Sequence, residues 1–253
     1  GQTAMANSEV TGAVPMEGQE MSTAGRLFGV VFSPGEAFAA IARKPGFVAP
    51  LVTLVISSVA LTESMLAKIG AAQIVRNSLV TSGRAKNMTP DQIDQAVSQG
   101  AKFAAVLMRV IEVVGVPIFL LIVAAIALLI VNAILGGEIK FKTAFSVVAY
   151  ADIPAVLATV IGIVMIFFGD LSHFDPNNFL PTKLSFFMNP EQVSKPLFAF
   201  ASSVDIFYFW FMILLGIGLS AATGRKVKPL PIFLGFFTVW VLIAVVKVGF
   251  ALV

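Results

Sequence analysis

The sequence predicts an all-α, polytopic integral membrane protein. The expected architecture is a bundle of five transmembrane helices, with interfacial helices ahead of it and an extracytoplasmic helical hairpin extension. Three observations predict this. Val113 to Leu135 (VVGVPIFLLIVAAIALLIVNAIL) carries no charge over 23 residues. At about 1.5 Å per residue that is roughly 34 Å of helix, enough to cross a ~30 Å hydrocarbon core. Of the 253 residues, 58% are hydrophobic and 12% charged, against about 25% charged in an ordinary soluble domain. One soluble core cannot bury that excess, so lipid must serve as part of the solvent. Further apolar stretches then recur along the chain, divided by short basic turns or longer polar loops.

Residues 1–21 are polar and slightly acidic, without an apolar run. They read as a disordered tail and not as a signal peptide. Residues 22–45 read as amphipathic interfacial helices. Ser22 to Phe32 sets Leu27, Phe28, Val31 and Phe32 on one face, too short to span and suited to the interface. Ser33, Pro34 and Glu36 then have the pattern of a capping box with proline at the first helical position. Phe38 and Ile41 follow on one face. Arg43-Lys44 closes this helix, where cations suit both the helix terminus and anionic headgroups.

The membrane domain is expected over 46–253, with spans at about 47–69, 110–135, 144–169, 203–222 and 231–251. Between the first two spans, 70–100 is too polar for lipid. Thr89-Pro90-Asp91-Gln92 reads as a second capped start, followed by Ile93, Val97 and Ala101 on an apolar face. The first two spans therefore extend beyond the bilayer as a helical hairpin with its tip near 83–88. Pro117 should kink the second span unless neighbours compensate. Ile139 to Tyr150 fits either a flat interfacial helix ahead of a span at 153–169, or the start of one span from Ala144. In the loop 170–202, Phe179, Leu180, Phe186, Phe187 and Met188 are too apolar to face only water. Asn189-Pro190-Glu191-Gln192 reads there as the cap of a short helix.

Basic residues in short connections set orientation. Arg26, Arg43, Lys44, Lys140, Lys142, Arg225, Lys226 and Lys228 fall on one side. Arg76, Arg84, Lys86, Lys102, Lys183 and Lys195 are spread through longer loops on the other. This places the N-terminus in the cytoplasm and the C-terminus outside it.

Three stretches resemble the Yip family in its bacterial form, membrane proteins named for interaction with Ypt/Rab GTPases. In LFGVVFSPGEAFAAIARKPGFVAP (27–50), Phe32, Pro34, Glu36 and Phe38 match its pattern before span one. In FKTAFSVVAYADIPAVL (141–157), Tyr150, Asp152 and Pro154 resemble its Tyr-and-Pro motif. In SSVDIFYFWFMILLGIGLSAATG (202–224), Asp205 and Trp210 stand at matching positions. Where the eukaryotic pattern has Asp-Leu-x-Gly-Pro, this chain reads Lys44-Pro45-Gly46-Phe47. The resemblance implies a five-span fold in the inner (cytoplasmic) membrane of a bacterium. It also implies an adaptor or membrane-organising role with an unidentified membrane-protein partner.

The residues exclude much chemistry. There is no cysteine, hence no thiolate metal site or cysteine nucleophile. No G-x-S-x-G, G-x-x-x-x-G-K or H-E-x-x-H motif occurs. No enzyme activity and no cofactor are expected. The net charge of +3 is scattered and forms no nucleic-acid stripe; it suits an anionic bilayer. His173 beside Asp170 and Asp175 reads as a solvated loop residue, because zinc needs three or four convergent groups.

Ionisable residues at membrane depth are the informative positions, because each is costly there unless paired. Glu63, Arg109, Glu112, Asp205 and Lys247 should lie at similar depth near the outer boundary. The first reading is interhelical pairing that sets helix register. The alternative is an ion or small-solute channel or transporter that uses the unbalanced acid. Asp152, with Asn132 nearby, reads as a carboxylate capping span three. Gly216, Gly218 and Ser220, and likewise Gly162 and Gly169, permit close helix contact, within the bundle first and in a homo-oligomer second.

Overall fold

The computed structural model describes residues 21–169, 175, 178–190 and 192–252. The expected tail lies outside the described residues, apart from Met21. So do Asp170, His173 and Glu191.

The chain opens with α1 (Thr23–Phe32) and α2 (Pro34–Arg43). Ser22 caps α1, accepting from the Gly25 N–H at 3.0 Å. Ser33 takes the capping position of α2 but makes no side-chain capping bond, so the expected capping box does not form. The cause is double duty. Ser33 also ends α1, with its own N–H on the Gly29 carbonyl. Its backbone is therefore held away from the extended conformation that capping needs. α2 packs against α1 and forms part of the bundle wall, with Ala37, Phe38, Ala40 and Ile41 buried. Phe28 and Phe32 of α1 point outward.

Next come α3 (Val48–Lys68), α4 (Ala71–Thr81) and α5 (Pro90–Leu128), the last running on as a π-helical turn over Leu129–Ile134. Gly70, with φ at +83°, breaks the chain between α3 and α4. α4 folds back on the first turns of α5, where Ile74 and Val97 are buried and Arg76 pairs with Asp94 at 2.5 Å. The capping box at Thr89 forms in full. Gln92 N–H donates to Thr89 Oγ1 at 3.3 Å, and Thr89 N–H to Gln92 Oε1 at 2.9 Å. Thr89→Ala should cost about 1 kcal/mol of helix stability, read as faster amide exchange confined to the first turns of α5. Pro117 sits inside α5 without ending it. At 39 residues, α5 is about 59 Å long, nearly twice the ~30 Å of hydrocarbon it has to cross.

The remaining helices are α6 (Phe141–Ala151), α7 (Ala155–Phe168), α8 (Lys195–Ala201), α9 (Ile206–Ala222) and α10 (Pro229–Phe250). The flat interfacial reading of 139–150 is overturned. Every residue from Ala144 to Ala151 is buried, and a helix apolar and buried all round belongs to a core. α6 is the hub of the bundle, packed by α5, α9 and α2. Asp152 does not cap α7, which begins behind Pro154 with no side-chain cap. Short backbone bonds bridge the break instead, Ala155 N–H to the Asp152 carbonyl at 2.9 Å and Leu157 N–H to the Pro154 carbonyl at 2.9 Å. They satisfy donors that a cap would have served.

Asn189 and Gln192 form a turn and not a helix start, Gln192 N–H reaching the Asn189 carbonyl at 3.0 Å. The expected span at 203–222 begins later, because residues 202–205 separate α8 from α9. Among the described residues, four helical stretches are long and apolar enough to cross a membrane, α6 and α7 counting together as one: Val48–Lys68, Pro90–Ile134, Phe141–Phe168 and Pro229–Phe250. α9 is apolar but has 17 residues, about 26 Å. It lies inside the bundle, its buried face running from Phe211 to Ser220.

Candidate functional site

The ionisable residues at membrane depth fall into two sets. The first occupies the seam between α3 and α5. Arg109 forks onto Glu63, with Nε to Oε1 at 2.5 Å and Nη2 to Oε2 at 2.9 Å. This bidentate geometry is the strong form of a charged pair. One turn along α5, Glu112 accepts from Ser58 Oγ, and Thr62 also hydrogen-bonds to it. Thr62 is buried, whereas the Glu63–Arg109 pair is half exposed on the outer surface of the seam.

The second set surrounds the break between α8 and α9. Asp205 caps α9, Oδ1 accepting from Phe207 N–H at 2.9 Å, and Oδ2 accepts from Thr182 Oγ1 at 3.2 Å. The backbone beside it forms a short antiparallel bridge, Ile206 N–H to the Thr182 carbonyl at 3.2 Å and Leu184 N–H to the Val204 carbonyl at 3.0 Å. Lys247 of α10 donates to Ser202 Oγ at 2.7 Å, and Trp240 Nε1 to the Ser203 carbonyl at 2.9 Å. Trp240 stands eleven residues into α10, about 17 Å along it. Irregular backbone at that depth needs protein partners, and these bonds supply them.

The partners that sequence reasoning missed are neutral hydroxyls: Ser58, Thr62, Thr182 and Ser202. One signal was present. Ser58 and Thr62 stand four apart in a stretch read as a membrane span, which puts both on one helix face.

The three motif stretches meet in space. Phe38 of α2 is fully buried, and a Cβ placed at Gly218 of α9 would stand 2.7 Å from its ring and 2.5 Å from Val147 of α6. Gly218 thus holds three helices in direct contact. A Cβ placed at Gly216 would stand 2.9 Å from the Pro229 carbonyl oxygen of α10. Gly162 of α7 receives Leu180 and Phe179, so those two loop residues rest on the bundle. Tyr150 of α6 is buried and hydrogen-bonds to the Arg26 guanidinium. Arg26 in turn donates to the Lys44 carbonyl at 2.9 Å and the Met21 carbonyl at 3.2 Å. Tyr150 therefore ties α6 to α1 and to the end of α2. Trp210 stacks on Phe207, centroids 5.9 Å apart. Pro34 opens α2, while Phe32 and Glu36 are exposed. Asp152 and Pro154 form the break between α6 and α7.

Among the described residues, no group of three or more His, Asp or Glu side chains converges on a point that could hold a metal ion. What the arrangement does chemically is hold helices together. Each of the five residues has a partner within the chain. The family model described as Yip1 domain matches residues 28–248. No curated protein and no solved structure matches the chain.

Proposed function

Because this chain belongs to the Yip1 domain family, we propose that it is a non-enzymatic membrane protein that organises other membrane proteins or the bilayer, acting as an adaptor. One observation carries the reading. The charges at membrane depth are committed to structural bonds: Arg109 to Glu63, Glu112 to Ser58, Asp205 to Thr182 and Lys247 to Ser202. A conduction path needs groups that bind and release an ion from a water-lined route. Here the acids serve as helix clamps and caps.

The same proposal includes topology. α9 completes a set of five crossings, shortened because the 202–205 segment fills the rest of the depth with bonded backbone. The hairpin of α4 and the start of α5 stands outside the bilayer, since α5 is far longer than the hydrocarbon is thick. The basic turns at 140–142 and 225–228 lie in the cytoplasm, with the C-terminus on the far side of a bacterial inner membrane. The hairpin is the surface offered to a membrane-protein partner or to a second copy.

Two measurements test this together. Proteoliposomes carrying the chain should pass no more protons or cations than empty ones. Cross-linking from native membranes through Ala85→Cys, at the hairpin tip, should trap a discrete membrane-protein product that Ile134→Cys does not trap. Flux that disappears in a Glu63→Gln, Glu112→Gln, Asp205→Asn triple variant would replace the adaptor reading with transport.

A further inference from the structure

Among the described residues, one face of α5 on the hairpin has no neighbour. α4 covers the side of Val97, and α3 the side of Glu112. Turned away from both, Phe103, Val106, Val110 and Val113 stand three, four and three apart, and all are exposed. That spacing is the heptad of a helix that meets another helix along a seam. Lipid does not account for it. Counted from the end of the π-helical turn at Ile134, Phe103 is 31 residues along the chain, about 46 Å of helix. Bringing it inside a ~30 Å core would take a tilt of about 50°, beyond the range of membrane helices. Yet Phe103 is 69% and Val106 61% exposed, an apolar surface that stands clear of the hydrocarbon and calls for cover.

We infer that a second copy of this chain covers it, the two α5 helices pairing in parallel about a two-fold axis along a seam from Gln99 to Val113. The inference rests on the placement of the hairpin given above and names its occupant. Three features select a second copy. Every copy enters the bilayer in the same sense, so two α5 helices meet parallel, the arrangement in which a heptad seam sets like against like. The flanking positions tolerate it. Lys102 faces Leu107 of the second copy and Arg109 faces Val114, so no cation meets a cation. Gln99 takes the next seam position toward the tip, and its amide both donates and accepts, so it satisfies its own copy across the axis.

The chain has no cysteine, so single cysteines in the full chain report the seam in native membranes. Two differently tagged copies are co-expressed and treated with a short bis-maleimide. Gln99→Cys and Val106→Cys should each give a product that carries both tags. Ser98→Cys is exposed at nearly the same height but turned away from the seam, and should give at least about tenfold less. Val106→Lys changes a residue exposed in the single copy. It should lower the two-tag product of Gln99→Cys at least about tenfold, because like charges then meet across the axis. Equal product from Ser98→Cys and Gln99→Cys overturns the dimer, as does no two-tag product from either seam position. So does a Val106→Lys variant that pairs as before. Should that variant fail to fold, the contrast between positions 98 and 99 still decides. A Gln99→Cys product that holds another protein in place of the second tag also overturns the dimer, and leaves the adaptor reading standing. A two-tag product at Gln99→Cys with no other protein trapped through Ala85→Cys does the reverse.

Discussion

Phe38→Ala should lower stability by about 3–5 kcal/mol, the range for truncating a fully buried aromatic ring. The ring sits where α2, α6 and α9 touch, against Val147 and the bare backbone at Gly218. Collapse into the vacated space is blocked on each side. Gly218 has no side chain to swing inward. α2 is tied back to α1 through Ser33 and through the Arg26 bond to the Lys44 carbonyl. The cavity therefore stays open, and the cavity term adds to the lost transfer energy. Phe32→Ala is the internal control. That residue is 79% exposed, and its loss should change stability by less than about 0.5 kcal/mol. Both are read from denaturant unfolding in micelles, followed by the fluorescence of the two tryptophans. Equal costs for the two variants would mean that α2 is not seated in the bundle.

How much of this was legible depends on which physical signal each residue carries. The uncharged run at 113–135 and the Thr89–Gln92 box are local signals, and both lie where they were read, inside the long helix that includes α5. Ser33 carries the same cap signal and fails, because the residue is shared with the end of the helix before it. A propensity rule treats each helix as isolated. The stretch 139–150 misleads in another way. Lys140 and Lys142 make its start look amphipathic, yet Ala144, Ala149 and Ala151 are small enough for the following turns to sit at the centre of the bundle. Burial on all sides is a tertiary fact with no period to betray it. The break at 202–205 had a readable cap in Asp205, but a hydropathy window averages across it. The partners of the deep charges are hydroxyls, which hydropathy counts as nearly neutral. The two sets of charges could not be separated without knowing which helices adjoin.

Asn132→Leu carries the other large expected effect, because one side chain there serves two backbone groups at once. Its carbonyl oxygen accepts from Ile139 N–H at 3.0 Å, and its amide donates to the Ile139 carbonyl at 3.0 Å. The residue lies in the π-helical turn, where the ladder has widened to a bond from Leu135 N–H to the Ile130 carbonyl at 3.0 Å. The chain then reverses through Gly136, whose φ of +67° suits glycine. Gly137 is pressed against Val131, Thr223 and Val227. The amide acts as a peptide surrogate that closes this reversal against the α9–α10 turn. Leucine preserves much of the volume and removes both bonds. Each orphaned group costs about 1–3 kcal/mol where water cannot replace the lost partner. Ile139 keeps only 8% of its surface, but Asn132 is exposed and both border an open groove, so water recovers part of the loss and the total falls below the sum of the two costs. Asn132→Asp keeps the acceptor and loses the donor, and should fall between leucine and wild type at neutral pH. Amide exchange at Ile139 should accelerate in step with the loss of stability. A leucine variant that unfolds with the wild type, and protects Ile139 as well, would show that the turn holds without the surrogate.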